Sequence, residues 1–308
     1  MWVVAIWGIL GATGWGFSAH RRIQEAAIHA LPPALHGFYK SHQAWLVAHA
    51  VDADLRKHTV EGEDVKHYID LDRYHNNLDS LQDLFPMSWR ASLEKWGEEE
   101  VRENGIGPWN AVWTYRKLVD AFAALDSAGI LRHSADLGHY VGDLNVPLHT
   151  TENYNGQLTR QDGIHGLWET QVPEMEMDRY SLQVEKPVIE RNVEAAIWQM
   201  VFRSHAAVDS VLKAERMLTE AWDGRASHAY VERGRTLQKL RSPEFAQAFS
   251  ERLDGQVERQ MQHSVHAIAT LWWSAWVEAG EPDLAPIEAR TERDTMNFWQ
   301  KLKAWAIG

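Results

Sequence analysis

The 308-residue chain contains no cysteine, so neither disulfides nor thiolate metal sites are possible. Any transition-metal site must therefore be built from imidazole and carboxylate groups, and the chain has 16 histidines and 43 acidic residues. It also lacks an excess of positive charge. The 31 basic residues leave a net charge of −12, which disfavours non-specific binding to nucleic acid or anionic lipid surfaces. A polyanionic substrate would need local positive charge, which bound metal cations could supply.

The first fourteen residues, MWVVAIWGILGATG, form a short apolar run with no Lys or Arg before it. Small residues at Ala12 and Gly14 occupy the positions that a signal peptidase reads. The run is too short to span a membrane as a helix. We interpret residues 1–14 as an export signal cleaved after Gly14, which predicts a secreted or periplasmic protein whose mature chain begins at Trp15. The alternative is a retained apolar segment docked on the protein.

Alternating strand patterns are scarce, whereas apolar residues recur at helical spacing through most of the chain. The clearest series is Val257, Met261, Val265, Ile268, Trp272 and Trp276. There is no internal repeat and no low-complexity linker, so the pattern predicts a single all-α domain, a multi-helix bundle, over residues 15–281. In residues 282–308, Phe298, Leu302 and Trp305 share one face, which predicts an amphipathic helix packed back on the domain.

Metal-ligating residue types concentrate in one stretch of the sequence. In SADLGHYVGDLNVPLH, His139 and Asp143 stand four residues apart, and in GIHGLWE, His165 and Glu169 have the same spacing. Residues four apart on a helix lie on one face, so that one helix can offer two ligands to a single ion. His149 lies between the two pairs. The spacing alone is also compatible with two local hydrogen-bonded pairs and no metal.

Four motifs resemble one superfamily. HYVGDLNVPLH resembles the His-x-x-Gly-Asp-x-x-x-Pro-x-His signature of the zinc-dependent phospholipases C and of the single-strand-specific nucleases of fungi and plants, and GIHGLWE resembles their second His-x-x-x-acid pair. Asp52 and His67 are similar to the family's Asp and the His that follows about fifteen residues later. WGFSAH resembles the nucleases' opening, with Trp15 and His20 in its Trp and His positions. LWWSAWVEAG resembles the family's final helix.

The resemblance implies a mostly helical fold of the phospholipase C and single-strand nuclease type, with three Zn²⁺ ions. The first ion would be bound by Asp52, His67, His139 and Asp143; Asp54, two residues on, is the alternative to Asp52, which is favoured by its spacing to His67. The second would be bound by His149, His165 and Glu169, with a position left open for water. The third would be bound by His20, a shared oxygen of Asp143, and the α-amino and carbonyl groups of Trp15. Because an amide nitrogen cannot coordinate as an amine, the third site requires removal of residues 1–14.

The resemblance also implies an activity. The protein is expected to be a phosphoric ester hydrolase that cleaves a phosphodiester by attack of a zinc-bridging hydroxide. Asp52 and Asp143 are the expected catalytic carboxylates. Asp52 would orient or deprotonate the attacking water, and Asp143 would be shared by two zinc sites.

The motifs agree with both branches of the superfamily. Glu169 in place of Asp, and Asn145 within the signature, look more like the phospholipases, whereas the Trp-to-His and Asp-to-His spacings look like the nucleases. We favour a phospholipid as the substrate. The alternative is a nucleic acid, cleaved by a single-strand-specific endonuclease or 3'-nucleotidase. No stable nucleic-acid partner and no transmembrane span after signal removal are implied, and the oligomeric state stays open.

Substrate-binding residues are less well defined. The aromatic residues of choline-preferring phospholipases are replaced here by Ala53 and Asp64. The Arg that the nucleases place three residues after their ligand Asp is replaced by Leu55, with Arg56 one position further on. Tyr154, in the loop between the two ligand pairs, is a candidate for stacking on a base.

A non-catalytic helical zinc-binding protein is the alternative from another functional class. A structural zinc site usually has four protein ligands and favours Cys, whereas His149, His165 and Glu169 are only three. A di-iron carboxylate bundle is a further alternative, but no histidine of this chain has Glu three residues before it.

Overall fold

Helices form most of the described chain. The structure, a computed structural model, describes residues 16–57, 59–75, 78–233, 236–285 and 287. Its α-helices are α1 (Phe17–Ala30), α2 (Pro33–Ser41), α3 (Gln43–His49), α4 (Asp52–Arg56), α5 (Leu78–Leu84), α6 (Trp89–Trp96), α7 (Glu98–Glu103), α8 (Gly107–Ala123), α9 (Ser127–Leu144), α10 (Ile164–Gly166), α11 (Val172–Glu176), α12 (Val193–Ala206), α13 (Val208–Ala221), α14 (Pro243–Arg252) and α15 (Gln256–Glu278). Shorter turns are the 3-10 segments Asp64–Lys66, Leu71–Arg73, Pro147–Thr150 and Met177–Arg179, and the π-helical segment Leu167–Gln171. The predicted all-α class is confirmed.

Two helices begin at side chains that cap them. The Asn192 side chain accepts a hydrogen bond from Ala195 N at 3.1 Å and starts α12, and Ser242 Oγ accepts one from Phe245 N at 3.3 Å and starts α14. These caps satisfy backbone N–H groups that have no partner within the first turn of a helix. Pro243 follows the second cap, where a missing N–H has no cost.

The core joins α1, α8, α9 and α15, which pack on one another. Trp272 of α15 is fully buried and donates its indole N–H to Ser134 O of α9 at 3.1 Å. Trp109 of α8 and Trp198 of α12 both donate to Met87 O, at 2.6 and 3.1 Å. These large side chains bury apolar area while satisfying their own N–H groups, and Trp272 joins α15 to α9. The two helices that carry the first site residues, α1 and α9, lie side by side in this frame.

A β-hairpin follows α13. The sequence pattern did not predict this hairpin. Its strands are β1 (His228–Arg233) and β2 (Thr236–Arg241), antiparallel, with Tyr230 opposite Lys239. The Gln171 side chain bonds both the N–H and the C=O of Arg241, at 3.3 and 3.1 Å. The hairpin is therefore attached at its base to the π-helical segment.

No helix within the described ranges is long and apolar enough to cross a membrane. The predicted export signal at residues 1–14 and the residue Trp15 lie outside the described residues. So do Phe298, Leu302 and Trp305 of the predicted C-terminal helix.

Candidate metal centre

Three buried groups of side chains could hold metal ions. They are His20, His139 and Asp143; Asp54, His67 and His139; and His149, His165 and Glu169. Within each group the candidate ligand atoms lie within 4.8 Å of one another. His139 belongs to the first two groups, so these two share a side chain.

Helices α9 and α1 build the first group. His139 and Asp143 are one helical turn apart on α9 and both are buried, as their spacing predicts. His20 projects from α1, and its ring stacks on the His139 ring with centroids 4.0 Å apart. Its Nε2 lies 3.2 Å from Asp143 Oδ1. The two helices thus bring three candidate ligands together from distant parts of the sequence.

The second group contains Asp54 where Asp52 was expected. His67 Nδ1 lies 2.6 Å from Asp143 Oδ2, and Asp54 Oδ1 lies 3.6 Å from His139 Nε2. The Asp52 side chain is 38 % exposed and its Oδ2 pairs with His49 Nδ1 at 2.6 Å. Residues two apart on a helix do not face the same side. Because α4 turns Asp54 towards α9, Asp52 points away from the centre.

The third group lies where the backbone changes from α-helical to π-helical hydrogen bonding. His165 lies on α10, and Glu169 lies in the π-helical segment that follows it. Their ligand atoms, His165 Nε2 and Glu169 Oε2, are 2.8 Å apart, and His149 Nε2 is 3.4 Å from the same oxygen. A π-helical turn alters the angle between successive side chains and is frequent at functional sites. It turns both His165 and Glu169 towards His149.

Hydrogen bonds fix which ring nitrogen of three histidines faces the groups. In each ring Nδ1 donates to a backbone carbonyl; the acceptors are Ala50 O for His139 at 2.9 Å, His67 O for His149 at 2.7 Å, and Tyr154 O for His165 at 3.1 Å. In the neutral form of each ring this leaves the Nε2 lone pair facing the group, which is the form that ligates a metal. The Nε2 atoms of His149 and His165 lie 3.2 Å apart. Two lone pairs and a carboxylate facing one another repel, and a cation among them removes that repulsion.

The atoms without hydrogen-bond partners match this cation-binding arrangement. Buried site atoms that have neither a hydrogen-bond partner nor an ion-pair contact in the described structure are Nδ1 of His20, Oδ2 of Asp54, Nε2 of His67 and Oε1 of Glu169. Buried polar atoms nearly always have partners. Imidazole nitrogen and carboxylate oxygen are together a donor set that suits Zn²⁺ and related transition-metal ions. The residues present therefore fit bound metal.

The electrostatic field of the site favours positive charge. Burial alone would lower the pKa of His139, but the carboxylates of Asp143 and Asp54 raise it to about 10. Burial alone would raise the pKa of Asp143, but the charges of His139 and His149 hold it well below its usual value. The carboxylates thus stabilise any cation placed between them and the rings.

A cleft of about 290 Å³ opens beside the second and third groups. It is lined by Lys57, Asp64, His67, Tyr68, Asp70, Leu148, His149, Tyr154 and His165. Tyr154 is 49 % exposed and meets the His165 ring edge-on, with centroids 5.8 Å apart. The structure therefore places Tyr154 at the cleft, beside candidate ligands.

Arg56 does not line this cleft, although it was predicted to bind substrate. Its guanidinium donates to Asp136 Oδ1 at 2.9 Å and to Glu63 Oε1 at 3.2 Å. Lys57 lines the cleft, and its Nζ lies 2.8 Å from Asp54 Oδ1. Lys57 follows Asp54 by three residues, a spacing that places both on one side of α4. The nuclease resemblance places an Arg three residues after the ligand Asp. Counting three residues from Asp54, instead of from Asp52, identifies Lys57 as the cation at this position.

The chain immediately after Trp15 is docked at the third group. Gly16 is buried, and its N–H donates to Glu169 O at 3.1 Å. Trp15 itself is outside the described residues, so its role as a ligand beside His20 stays a prediction.

A scan against protein-family models finds no matching model, and a search of curated proteins finds no match. The function is therefore inferred from the chemistry and geometry of the site.

Proposed function

We propose that the protein is a zinc-dependent phosphoric ester hydrolase, similar to the zinc-dependent phospholipases C. The observation that carries this proposal is the position of the buried imidazole and carboxylate groups beside an open cleft. Bound Zn²⁺ would supply Lewis-acid stabilisation of phosphoryl oxygens and lower the pKa of a coordinated water to about 7. His149 and His165 line the cleft and both contact the buried Glu169, so this group offers three protein ligands beside open space, which favours an open catalytic site over a closed structural one.

The protein groups have separate tasks in this proposal. Asp143 directs one carboxylate oxygen to His20 and the other to His67, so it links two groups and fixes their separation. Asp54 takes the place expected for Asp52, next to His139 and Lys57. The carbonyls that accept from the histidine rings hold each Nε2 towards its group, as outer hydrogen bonds do in metal enzymes.

One wall of the cleft supports a phospholipid substrate with a cationic head group. Tyr68 and Tyr154 line it together with Asp64 and Asp70. Burial, with the nearby charges of Asp72 and Glu152, raises the pKa of Asp70 to about 7. Negative potential and aromatic side chains together suit a quaternary ammonium group. These residues differ from those that the phospholipase resemblance would have assigned.

Another wall supports the single-strand nuclease alternative. Burial alone would lower the pKa of Lys57, but Asp54 and Asp143 raise it, so the ammonium group stays charged. With Asp54 as the ligand, Lys57 occupies the position three residues on at which the nucleases carry Arg. A cation at the cleft favours a polyanionic strand, and Tyr154 could stack on a base.

Two variants separate these candidates. The mature metal-loaded protein is assayed on a phosphatidylcholine analogue, on single-stranded DNA and on bis(p-nitrophenyl) phosphate. For a phospholipase, Asp70→Asn should lower kcat/KM on the choline lipid about tenfold and change the generic diester little, since only the lipid has the cation. For a nuclease, Lys57→Gln should lower kcat/KM on DNA by a similar factor.

Asp143→Asn and a chelator are the controls for all three substrates. Both should abolish every hydrolytic activity. A protein that binds zinc fully and hydrolyses none of the three would instead be the non-catalytic zinc-binding alternative.

The export proposal has its own test. Cleavage after Gly14 would give a mature chain with a free α-amino group at Trp15. This amine could then coordinate the ion that His20 binds. N-terminal sequencing of protein recovered from outside the cytoplasm should begin with Trp-Gly-Phe-Ser. A sequence beginning at Met1 would contradict both the export signal and the amine ligand.

A further inference from the structure

A second cleft, of about 650 Å³, lies between α12, α15 and the segment 183–190. Gln262 Nε2 donates to Ser181 O at 2.7 Å, and Glu190 N donates to Ser274 Oγ at 2.8 Å. These two bonds fasten the segment to α15 at points twelve residues apart, which is roughly 18 Å along a helix. None of the residues that line this cleft belongs to the three metal-binding groups. It is therefore a separate, elongated site.

One end of the cleft is basic. Arg203, His263 and His266 line it, and the Arg203 guanidinium donates to Asn145 Oδ1 at 3.3 Å. Among the described residues, no carboxylate lies within 4 Å of this guanidinium. Burial, together with the charges of Arg203 and Arg259, lowers the pKa of His263 to about 4. His263 is therefore uncharged near pH 7, and the positive charge of this end comes from Arg203, while Glu185 and Glu190 line the cleft as well.

The walls of the cleft carry apolar side chains among polar ones. Ile197, Met200 and Leu271 are buried side chains on its walls. Thr270 also lines the cleft, is only 8 % exposed, and its Oγ1 has no hydrogen-bond partner in the described structure. That oxygen is itself inaccessible to solvent, so it reflects close packing and not a contact for a ligand.

We propose that this cleft binds an amphipathic organic anion, with its anionic group at Arg203 and its apolar part along Ile197, Met200 and Leu271. A guanidinium bonded to a neutral amide retains N–H donors for a phosphate, sulfonate or carboxylate. The acidic residue Glu190 is fastened near Ser274, about 16 Å along α15 from His263, which sets the direction of the ligand. The apolar walls give affinity that an inorganic anion cannot gain.

The test is calorimetric titration of the mature metal-loaded protein with decanesulfonate below its micelle concentration. A sulfonate is chosen because it is a weak ligand for zinc, so the metal centre contributes little to the signal. Decanesulfonate should bind with one-site stoichiometry, and Arg203→Gln should weaken binding about tenfold, since a charge-assisted hydrogen bond is lost. Arg216→Gln, an exposed arginine on α13, should leave the affinity unchanged.

Decyltrimethylammonium and inorganic phosphate complete the comparison. Both are measured as competitors of bound decanesulfonate, because the metal centre can bind phosphate and its own cleft can bind the ammonium group. The cation should not displace decanesulfonate, and phosphate should compete with an apparent Kd at least about tenfold higher than that of decanesulfonate, because it gains nothing from the apolar walls. Equal decanesulfonate affinity in wild type and Arg203→Gln, or displacement of decanesulfonate by an equal concentration of the cation, would overturn the proposal. Thermal unfolding of each variant verifies that it is folded.

Discussion

Asp54 and Asp52 lie on the same short helix in different environments. Asp54 is 1 % exposed and faces His139, whereas Asp52 is paired with His49 at the surface. Asp54→Asn should therefore lower the bound metal by about one ion per chain and abolish activity, because a neutral amide is a poor ligand. Asp52→Asn is the matched control and should keep both. Elemental analysis of the purified variants decides this. Loss of metal in the Asp52 variant alone would restore the assignment made from the sequence.

His263 gives a pH dependence that is independent of the metal centre. Its pKa in the folded protein is about 4, below the value of 6.5 for an unperturbed histidine. Between these values the unfolded chain binds more protons than the folded one, so the free energy of unfolding falls as pH decreases from about 6.5 to about 4. The full shift corresponds to about 3 kcal/mol, and partial exposure of the ring reduces this to about 1–2 kcal/mol.

His263→Gln removes this titration. Between pH 7 and pH 4 the variant should lose about 1–2 kcal/mol less of its free energy of unfolding than the wild type, as measured by urea denaturation. Between pH 7 and pH 8, where the group titrates in neither state, the two proteins should change equally. Parallel curves from pH 7 to pH 4 would show that His263 does not have this low pKa.

The approach of α1 to α9 depends on a glycine. A Cβ at Gly138 would lie 2.9 Å from Gln24 Nε2 and 3.0 Å from Gln24 Cδ. Gln24 is fully buried and donates to Ala135 O at 2.8 Å, so it has no space to move aside. His20 is one turn away from Gln24 on α1, so the same close packing positions the first metal-binding group.

Gly138→Ala and Gly37→Ala separate packing from helix propensity. Both positions are helical, but a Cβ at the exposed Gly37 meets nothing within 4 Å. Gly37→Ala should raise the free energy of unfolding by about 0.5–1 kcal/mol, because alanine restricts the unfolded chain and favours a helix. Gly138→Ala should lower it by about 1–3 kcal/mol, because overpacking outweighs the same gain. Urea denaturation measures both. A stabilising Gly138→Ala would mean that α1 and α9 are not closely packed.

Local periodicity explains what the sequence could predict about these elements. The apolar series from Val257 to Trp276 falls entirely within α15, and the His139 and Asp143 pair lies on one face of α9, because both patterns depend only on helix geometry. Whether Asp54 or Asp52 faces the metal-binding groups depends on the orientation of α4 relative to α9. That orientation is set by contacts between residues more than eighty positions apart, and a spacing count does not contain it.

The hairpin was missed for a related reason. Its strands β1 and β2 carry exposed polar and charged residues with little apolar alternation, and side-chain pattern is the main strand signal in a sequence. It is held at its base by Gln171, whose side chain bonds the Arg241 backbone, and by an ion pair between Arg241 and Glu215. These are tertiary contacts, which short-range propensity does not encode.

The molecule buries three carboxylates in one place. Asp54, Asp143 and Glu169 are each at most 1 % exposed, and Lys57 is the basic side chain whose ammonium directly contacts one of them within the described structure. Each buried ion without compensation costs several kcal/mol in lost hydration. Protonated histidines could balance the carboxylate charges, but protonation would occupy the ring lone pairs that face the groups. Bound cations compensate without that loss, so the stability of the whole fold should be linked to metal binding.

Chelation tests this linkage directly. A ligand present at about a thousand times its Kd stabilises the folded state by about 4 kcal/mol, and in a domain of this size each kcal/mol changes Tm by about 2–4 °C. Removing metal with a chelator should therefore lower Tm by about 10 °C, and excess Zn²⁺ should restore it. Mg²⁺ should not, because it prefers oxygen ligands in octahedral geometry, and nitrogen donors are abundant here. The Asp54→Asn variant should show a smaller chelator effect than Asp52→Asn, since it has fewer ligands to release. A Tm that is the same with and without chelator in the wild type would mean that the buried carboxylates are compensated by protons, and the metal centre would have to be abandoned.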